Sequence, residues 1–217
     1  MNKVKILKNV TQFTKEKLSE EGTGHDWWHI ERVLNNAKNI CRTEKADRFV
    51  VNLAVLLHDV GDRKVTGKDE DDYSIAENCL RENGVPPAVT DRVMFIIKNM
   101  SFSSSLGKKS ADVSKEFEIV QDADRLDALG AIGIARVFAF GGSRARLLYD
   151  PSKRPQKFTS KKEYQKMKSS SFHHFQEKIL LLKNLMNTKS AKRIAQKRHK
   201  YLESYMAQFL LEWKGER

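Results

Sequence analysis

Two separated stretches of the 217-residue chain set imidazoles beside carboxylates, Gly24-His25-Asp26-Trp27-Trp28-His29 and Leu56-Leu57-His58-Asp59-Val60-Gly61-Asp62, and a third, Asp122-Ala123-Asp124-Arg125-Leu126-Asp127, adds further carboxylates. Neutral imidazole nitrogen and ionised carboxylate oxygen are both good ligands for borderline or hard divalent cations. Two adjacent residues cannot enclose an ion, so His58 and Asp59 need partners from elsewhere in the chain. A divalent ion held this way polarises a phosphoryl oxygen and acidifies water, which makes phosphate hydrolysis the natural chemistry. Each histidine alone reads as an ordinary hydrogen-bonded core or surface residue. Three such stretches, each beside an apolar helical run, point to a metal.

The elements that must position these residues follow from the apolar pattern. Val50, Val51, Ala54, Val55 and Leu57 form a helical run that Asp47 can cap and Gly61 breaks, so His58 and Asp59 surface where a packed wall meets a pocket. A first helix is expected over residues 4–20. A second, capped by Thr23 or Asp26 and ending near Thr43, carries His29 in its first turn, leaves His25 outside, and makes Trp27 and Trp28 wall or core residues. The acidic segment Lys68-Asp69-Glu70-Asp71-Asp72 reads as the exposed start of a helix closed by Asn83-Gly84, and Pro86 and Pro87 open the next. A helix from Ser114 to about Leu129 puts Asp124 and Asp127 near one face. Asp122 points elsewhere and reads as exposed, whereas Asp127 can pair with Arg125 or orient a ligand. An apolar small-residue helix over 131–140, ended by Gly141-Gly142, leads into a basic loop from Ser143 to Thr159. Two long helices, 160–186 and 189–213, finish the chain. No strand pattern or internal repeat competes, so the fold class is all-α.

At 40% hydrophobic residues, a chain of this length builds one substantial core, hence one domain. No apolar run approaches the roughly 18 residues that span a bilayer, and Met1-Asn2-Lys3-Val4-Lys5 lacks a secretory core. A cytoplasmic protein with no membrane partner is expected. Cys41 and Cys79 have no metal-type spacing and read as reduced, buried thiols. The formal charge of +12 is confined to one region: residues 151–217 hold 17 Lys and Arg against 5 Asp and Glu, leaving 23 of each sign in residues 1–150. That region suits an anionic partner or simply solvated helix faces.

Taken together, the three stretches resemble the HD superfamily of metal-dependent phosphohydrolases, whose signature is a histidine, a His-Asp doublet and a distant aspartate. The resemblance implies a single-domain, HD-type helical bundle over residues 1–217, with a metal core in 23–130 and the basic loop and C-terminal helical pair in 143–217. It maps the metal ligands to His29, His58, Asp59 and Asp124. Members with two metals draw further histidines from the interval between the doublet and the distant aspartate, and this chain has none between Asp59 and Asp124. One divalent ion is therefore expected. Two imidazoles and two carboxylates leave room for water and suit Mn, Mg, Fe, Co or Ni alike.

The run Gly-His-Asp-Trp-Trp-His, followed by Leu-Leu-His-Asp-Val-Gly-Asp and Asp-Ala-Asp-Arg-Leu-Asp-Ala-Leu-Gly, looks like a compact subgroup that includes enzymes cleaving nucleoside triphosphates to monophosphate and pyrophosphate. On that resemblance the substrate is a phosphorylated small molecule, a nucleotide, with anhydride cleavage preferred over monoester hydrolysis. Asp62 is the candidate general base for the attacking water, or the acid at the leaving group, against a plainer role as a turn carboxylate. Arg63 and Lys64 could hold nonbridging oxygens. His25 could face substrate or brace a ligand, Arg144 and Arg146 could add positive charge from the loop, and His174 could reach in from the penultimate helix. The other class of function is a metal-stabilised binding module for nucleic acid or protein. Apolar spacing in the C-terminal helices builds a core or a homodimer face, and no aromatic-basic interleaving of an RNA-binding type is present, so nucleic acid is not favoured.

Overall fold

A computed structural model of the chain describes residues 1–19, 24–62, 70–101, 113–158, 163 and 169–216. The described elements are α1 (Lys3–Leu18), α2 (Trp27–Ile40), α3 (Arg48–Leu57), α4 (Ser74–Glu82), α5 (Pro87–Asn99), α6 (Lys115–Asp127), α7 (Gly130–Ser143), α8 (Ser171–Glu177), a 3₁₀ helix (Ile179–Leu185) and α9 (Lys189–Trp213). No strand occurs among the described residues, and the fold is an all-α single domain.

Helix α3 is the buried axis. Its carboxylate cap, Asp47, accepts from the Phe49 amide, and Phe49, Val50, Val51 and Leu53 to Leu57 are all buried. A helix apolar on every side must be enclosed on every side. Helices α1, α2, α5 and α6 provide the enclosure, and α2 and α6 also pack extensively against each other. The start of α2, which carries His29, and the last turn of α6, which carries Asp124, are therefore brought to the end of α3, where His58 and Asp59 lie. Polar caps fix where those helices begin: Asp26 accepts from the His29 amide at 2.9 Å, and Ser114 accepts from the Phe117 amide at 3.2 Å.

Several expectations need correction. The span 160–186 is not one helix: α8 starts at Ser171, capped by the Ser170 hydroxyl, and ends at Glu177, after which Lys178 turns the backbone to φ −136° and a 3₁₀ helix follows. Helix α7 runs through Gly141 and Gly142 instead of ending there, because Gly141 is a packing position: a Cβ on it would lie 2.0 Å from the Ser171 hydroxyl oxygen. Helix α4 starts after the acidic segment, and Asp72 accepts from the Ser74 amide and hydroxyl. Trp28 is 62% exposed, leaving only Trp27 packed against the core. Both cysteines are free and buried. No single helix among the described residues is long and apolar enough to cross a membrane.

The largest correction concerns Asp122, which is fully buried. Its carboxylate accepts from the backbone amides of Asn187 and Thr188, at 2.9 and 2.8 Å, and from their side chains at 3.1 and 2.8 Å. Thr188 is in turn the cap of α9. One carboxylate thus fastens α6 to the entrance of the last helix. Asp122→Ala strands buried donors that were bonded to a charged acceptor, and is expected to cost about 3 kcal/mol. A urea titration would show the midpoint falling with little change in slope.

Candidate metal centre and its pocket

His29 lies in the first turn of α2, His58 and Asp59 follow the last turn of α3, and Asp124 is near the end of α6. Their donor atoms converge. Nε2 of His29 is 3.2 Å from Nε2 of His58, 3.4 Å from Asp59 Oδ2 and 3.5 Å from Asp124 Oδ1. Nε2 of His58 is 3.5 Å from Asp59 Oδ1 and 4.0 Å from Asp124 Oδ1.

The hydrogen bonds behind the rings decide what this cluster can hold. Nδ1 of His58 is 2.8 Å from the Val55 carbonyl oxygen, which can only accept, so that nitrogen carries the proton. Nδ1 of His29 is 2.8 Å from Asp127 Oδ2, and the same logic places the proton there. With both rings neutral, as metal ligation requires, each offers an Nε2 lone pair, and the two face each other beside two carboxylates. A cation between them relieves the opposition, and the donor set fits a divalent ion.

The electrostatics show a site that favours positive charge. Burial, with Arg136 close by, pulls His29 down to about 4, which keeps its ring neutral. Burial would lower His58 as well, but Asp59 and Asp124 outweigh it and hold His58 above its ordinary value. Burial alone would raise Asp59, yet His58 and His25 keep it well below the usual carboxylate range. Asp124 is lowered in the same way by His58 and His29. One excess positive charge is wanted among four groups, and an ion would supply it.

A cavity of about 190 Å³ opens from this cluster. Its lining includes His25, His58, Asp59, Asp62, Tyr73 and Asp124, the cationic side chains Arg125, Arg136, Arg146 and Lys178 together with His174, and apolar side chains such as Ile97, Val137, Phe140 and Leu182. Gly61 makes the metal end possible: its φ is +89°, and a Cβ there would lie 2.1 Å from the Asp72 carbonyl oxygen. The chain can therefore turn sharply after the ligands and present Asp62 to the cavity.

His25, Asp62, Arg146 and His174 thus reach the pocket as their sequence positions suggested, and His25 Nδ1 also lies 3.0 Å from Asp59 Oδ2. Arg144 does not line it; that side chain is exposed, with its guanidinium 5.6 Å from the Phe140 ring centre. Arg63 and Lys64 lie outside the described residues. Asp127 pairs with Arg32 and Arg136, not Arg125, whose guanidinium donates instead to the Leu185 carbonyl. Sequence reasoning missed Tyr73, Arg125, Arg136 and Lys178. For Arg136 a signal existed: it is the lone cation inside the apolar run Ala131-Ile132-Gly133-Ile134-Ala135-Arg136-Val137-Phe138.

Residues 27–129 match the HD domain family. The uncharacterized protein YpgQ of Bacillus subtilis is 36% identical over 208 residues, covering 96% of this chain and 94% of YpgQ. Among solved structures, a Lactobacillus plantarum protein superposes with a TM-score of 0.88 at 32% identity, covering 97% of each chain. An HD-superfamily hydrolase from Bacillus thuringiensis gives 0.74 at 39% identity, covering 99% of this chain and all of its own. YpgQ crystallised in complex with ADP gives 0.75 at 35% identity, over 96% of this chain and 95% of YpgQ. The chain belongs to the HD superfamily of hydrolases, and it is in general terms a metal-dependent phosphohydrolase.

Proposed function

We propose that the protein hydrolyses nucleoside or deoxynucleoside triphosphates to the monophosphate and pyrophosphate, with one divalent ion held by His29, His58, Asp59 and Asp124. The observation that carries this reading is a cavity lined by three of those four residues, His58, Asp59 and Asp124, together with arginine and lysine side chains and apolar ones. Such a cavity has a place for each part of a nucleotide: the metal end for the reacting phosphoryl group, the Arg and Lys side chains for the rest of the polyphosphate, and the apolar surface for the base. The ADP complex of the YpgQ relative supports the nucleotide part of the reading.

The bound ion would polarise a phosphoryl oxygen and acidify water. Asp62 takes the proton from the attacking water as its oxygen bonds to the α-phosphorus. The bond from that phosphorus to the bridging oxygen breaks, and the electron pair leaves with pyrophosphate. Arg146 and Lys178 neutralise the charge that accumulates on this leaving group, while His174 and His25 border it and the metal end respectively. His25 also braces Asp59 through Nδ1. The protein acts in the cytoplasm on a free nucleotide.

The test is a matrix of metals against nucleoside mono-, di- and triphosphates, with orthophosphate and pyrophosphate measured separately. Pyrophosphate released in step with monophosphate is the expected result; orthophosphate alone, from a monoester, would replace this reading with that of a monoester phosphatase. In the same assay Asp62→Asn is expected to keep the metal and lower kcat about 100-fold, within the range for lost general-base catalysis. An unchanged kcat would remove Asp62 from the reaction.

A further inference from the structure

The carboxylate behind the metal centre has one guanidinium more than it needs. Arg32 grips both oxygens of Asp127, Nε to Oδ1 at 2.8 Å and Nη2 to Oδ2 at 3.0 Å. That bidentate pair already matches the charge of the buried carboxylate, and His29 Nδ1 adds a third donor. Arg136 nevertheless places Nη1 3.0 Å from the same Oδ2, and Asp127 is the one carboxylate it pairs with among the described residues. Its side chain is only 16% exposed. A second guanidinium with no second carboxylate paired to it, largely withdrawn from water, leaves a positive charge for an anion to match once an ion offsets Asp59 and Asp124.

The two arginines differ in what else they face. Arg136 lines the cavity and Arg32 does not. The Arg136 side chain is also held in place: Gly24, at φ +90°, lies so close that a Cβ on it would be 3.4 Å from Arg136 Cγ. The chain that leads into His25 and α2 thus lies against the arginine and keeps it between Asp127 and the cavity.

We propose that Arg136 is a substrate-binding residue that donates to a nonbridging oxygen of the phosphoryl group at the metal end while Nη1 stays on Asp127. This assignment rests on the reading of the cavity as a phosphohydrolase site, and it applies to an ester or an anhydride alike. The arginine then joins substrate to the carboxylate that orients His29, so filling the pocket and holding the ion become linked. Five donors in a fixed planar fork allow one guanidinium to serve both partners; a lysine has a single point charge and serves one at a time.

The experiment is calorimetric titration of the Mn-saturated protein with orthophosphate and with pyrophosphate, alongside Mn titration of each variant. Arg136→Gln is expected to weaken both anions by about 10-fold or more, as loss of a charge-assisted bond implies. Arg32→Gln, which loosens Asp127 from outside the cavity, is expected to weaken Mn but to leave orthophosphate affinity of the saturated protein within about twofold. If Arg136→Gln does not fold, Arg136→Lys is read instead, with anion binding expected to fall several-fold. Anion affinities equal to wild type in the Arg136 variant, or an equal fall in both arginine variants, would overturn the proposal and leave Arg136 a structural partner of Asp127. These binding readouts do not depend on which nucleotide is cleaved. Turnover of monoesters alone would therefore refute the pyrophosphohydrolase reading without touching this one.

Discussion

His58→Ala is expected to leave the protein without its divalent ion and to lower turnover by about 1000-fold or more. The ring is buried, its Nδ1 proton is committed to the Val55 carbonyl, and its Nε2 faces the shared centre. Alanine removes one of the two neutral donors, so that Asp59 and Asp124 stay with His29 alone to hold the ion. A lost ion forfeits several kcal/mol of transition-state stabilisation, and about 4 kcal/mol corresponds to the stated factor. Metal content after gel filtration and initial rates at saturating Mn check the two parts separately. Retention of one equivalent of ion with an unaltered rate would remove His58 from the ligand set. His58→Gln, which fills more of the imidazole volume, tests whether a null result reflects folding.

Asp127→Asn should act on binding and on stability at once. The carboxylate accepts from His29, Arg32 and Arg136, and His29 and Arg32 hold it below the ordinary carboxylate range even though burial alone would raise it. An amide has one accepting oxygen and turns N–H groups toward guanidinium donors. His29 then loses the partner that keeps its proton on Nδ1, and Mn affinity is expected to fall about 10- to 100-fold. Two partly buried guanidinium groups lose their counter-charge, so unfolding free energy should drop by about 2–3 kcal/mol. Mn titration and urea unfolding of the metal-free protein measure these effects, and no change in either would make Asp127 a bystander.

The candidate metal ligands could be picked out because their signals are local: a His-Asp doublet at the end of an apolar run needs no tertiary information. The elements carrying them were legible for the same reason, since helical spacing and capping residues mark α2, α3, α6 and α9 in the chain itself. What stayed hidden depends on meetings between remote residues. Asp122 looks like any helix-surface aspartate until Asn187 and Thr188 arrive on it. Asp127 and Arg125 are neighbours in sequence, but the partners that matter come from α2 and α7. The break at Lys178 lies inside an unbroken apolar pattern, and only the packing of α8 and the 3₁₀ helix against α7 and α9 requires it.

The bond between Asp122 and the start of α9 bears on where the protein can be cut. Likeness to the HD domain family stops at residue 129, yet α6, inside that span, has its carboxylate satisfied from residues 187 and 188. Arg198 reaches back as well, to the Leu126 carbonyl and the Asn36 side chain. A fragment trimmed to the family boundary would keep every proposed metal ligand and lose the groups that anchor the helix bearing one of them. The end of the family match is therefore not a seam at which this molecule divides into independent pieces.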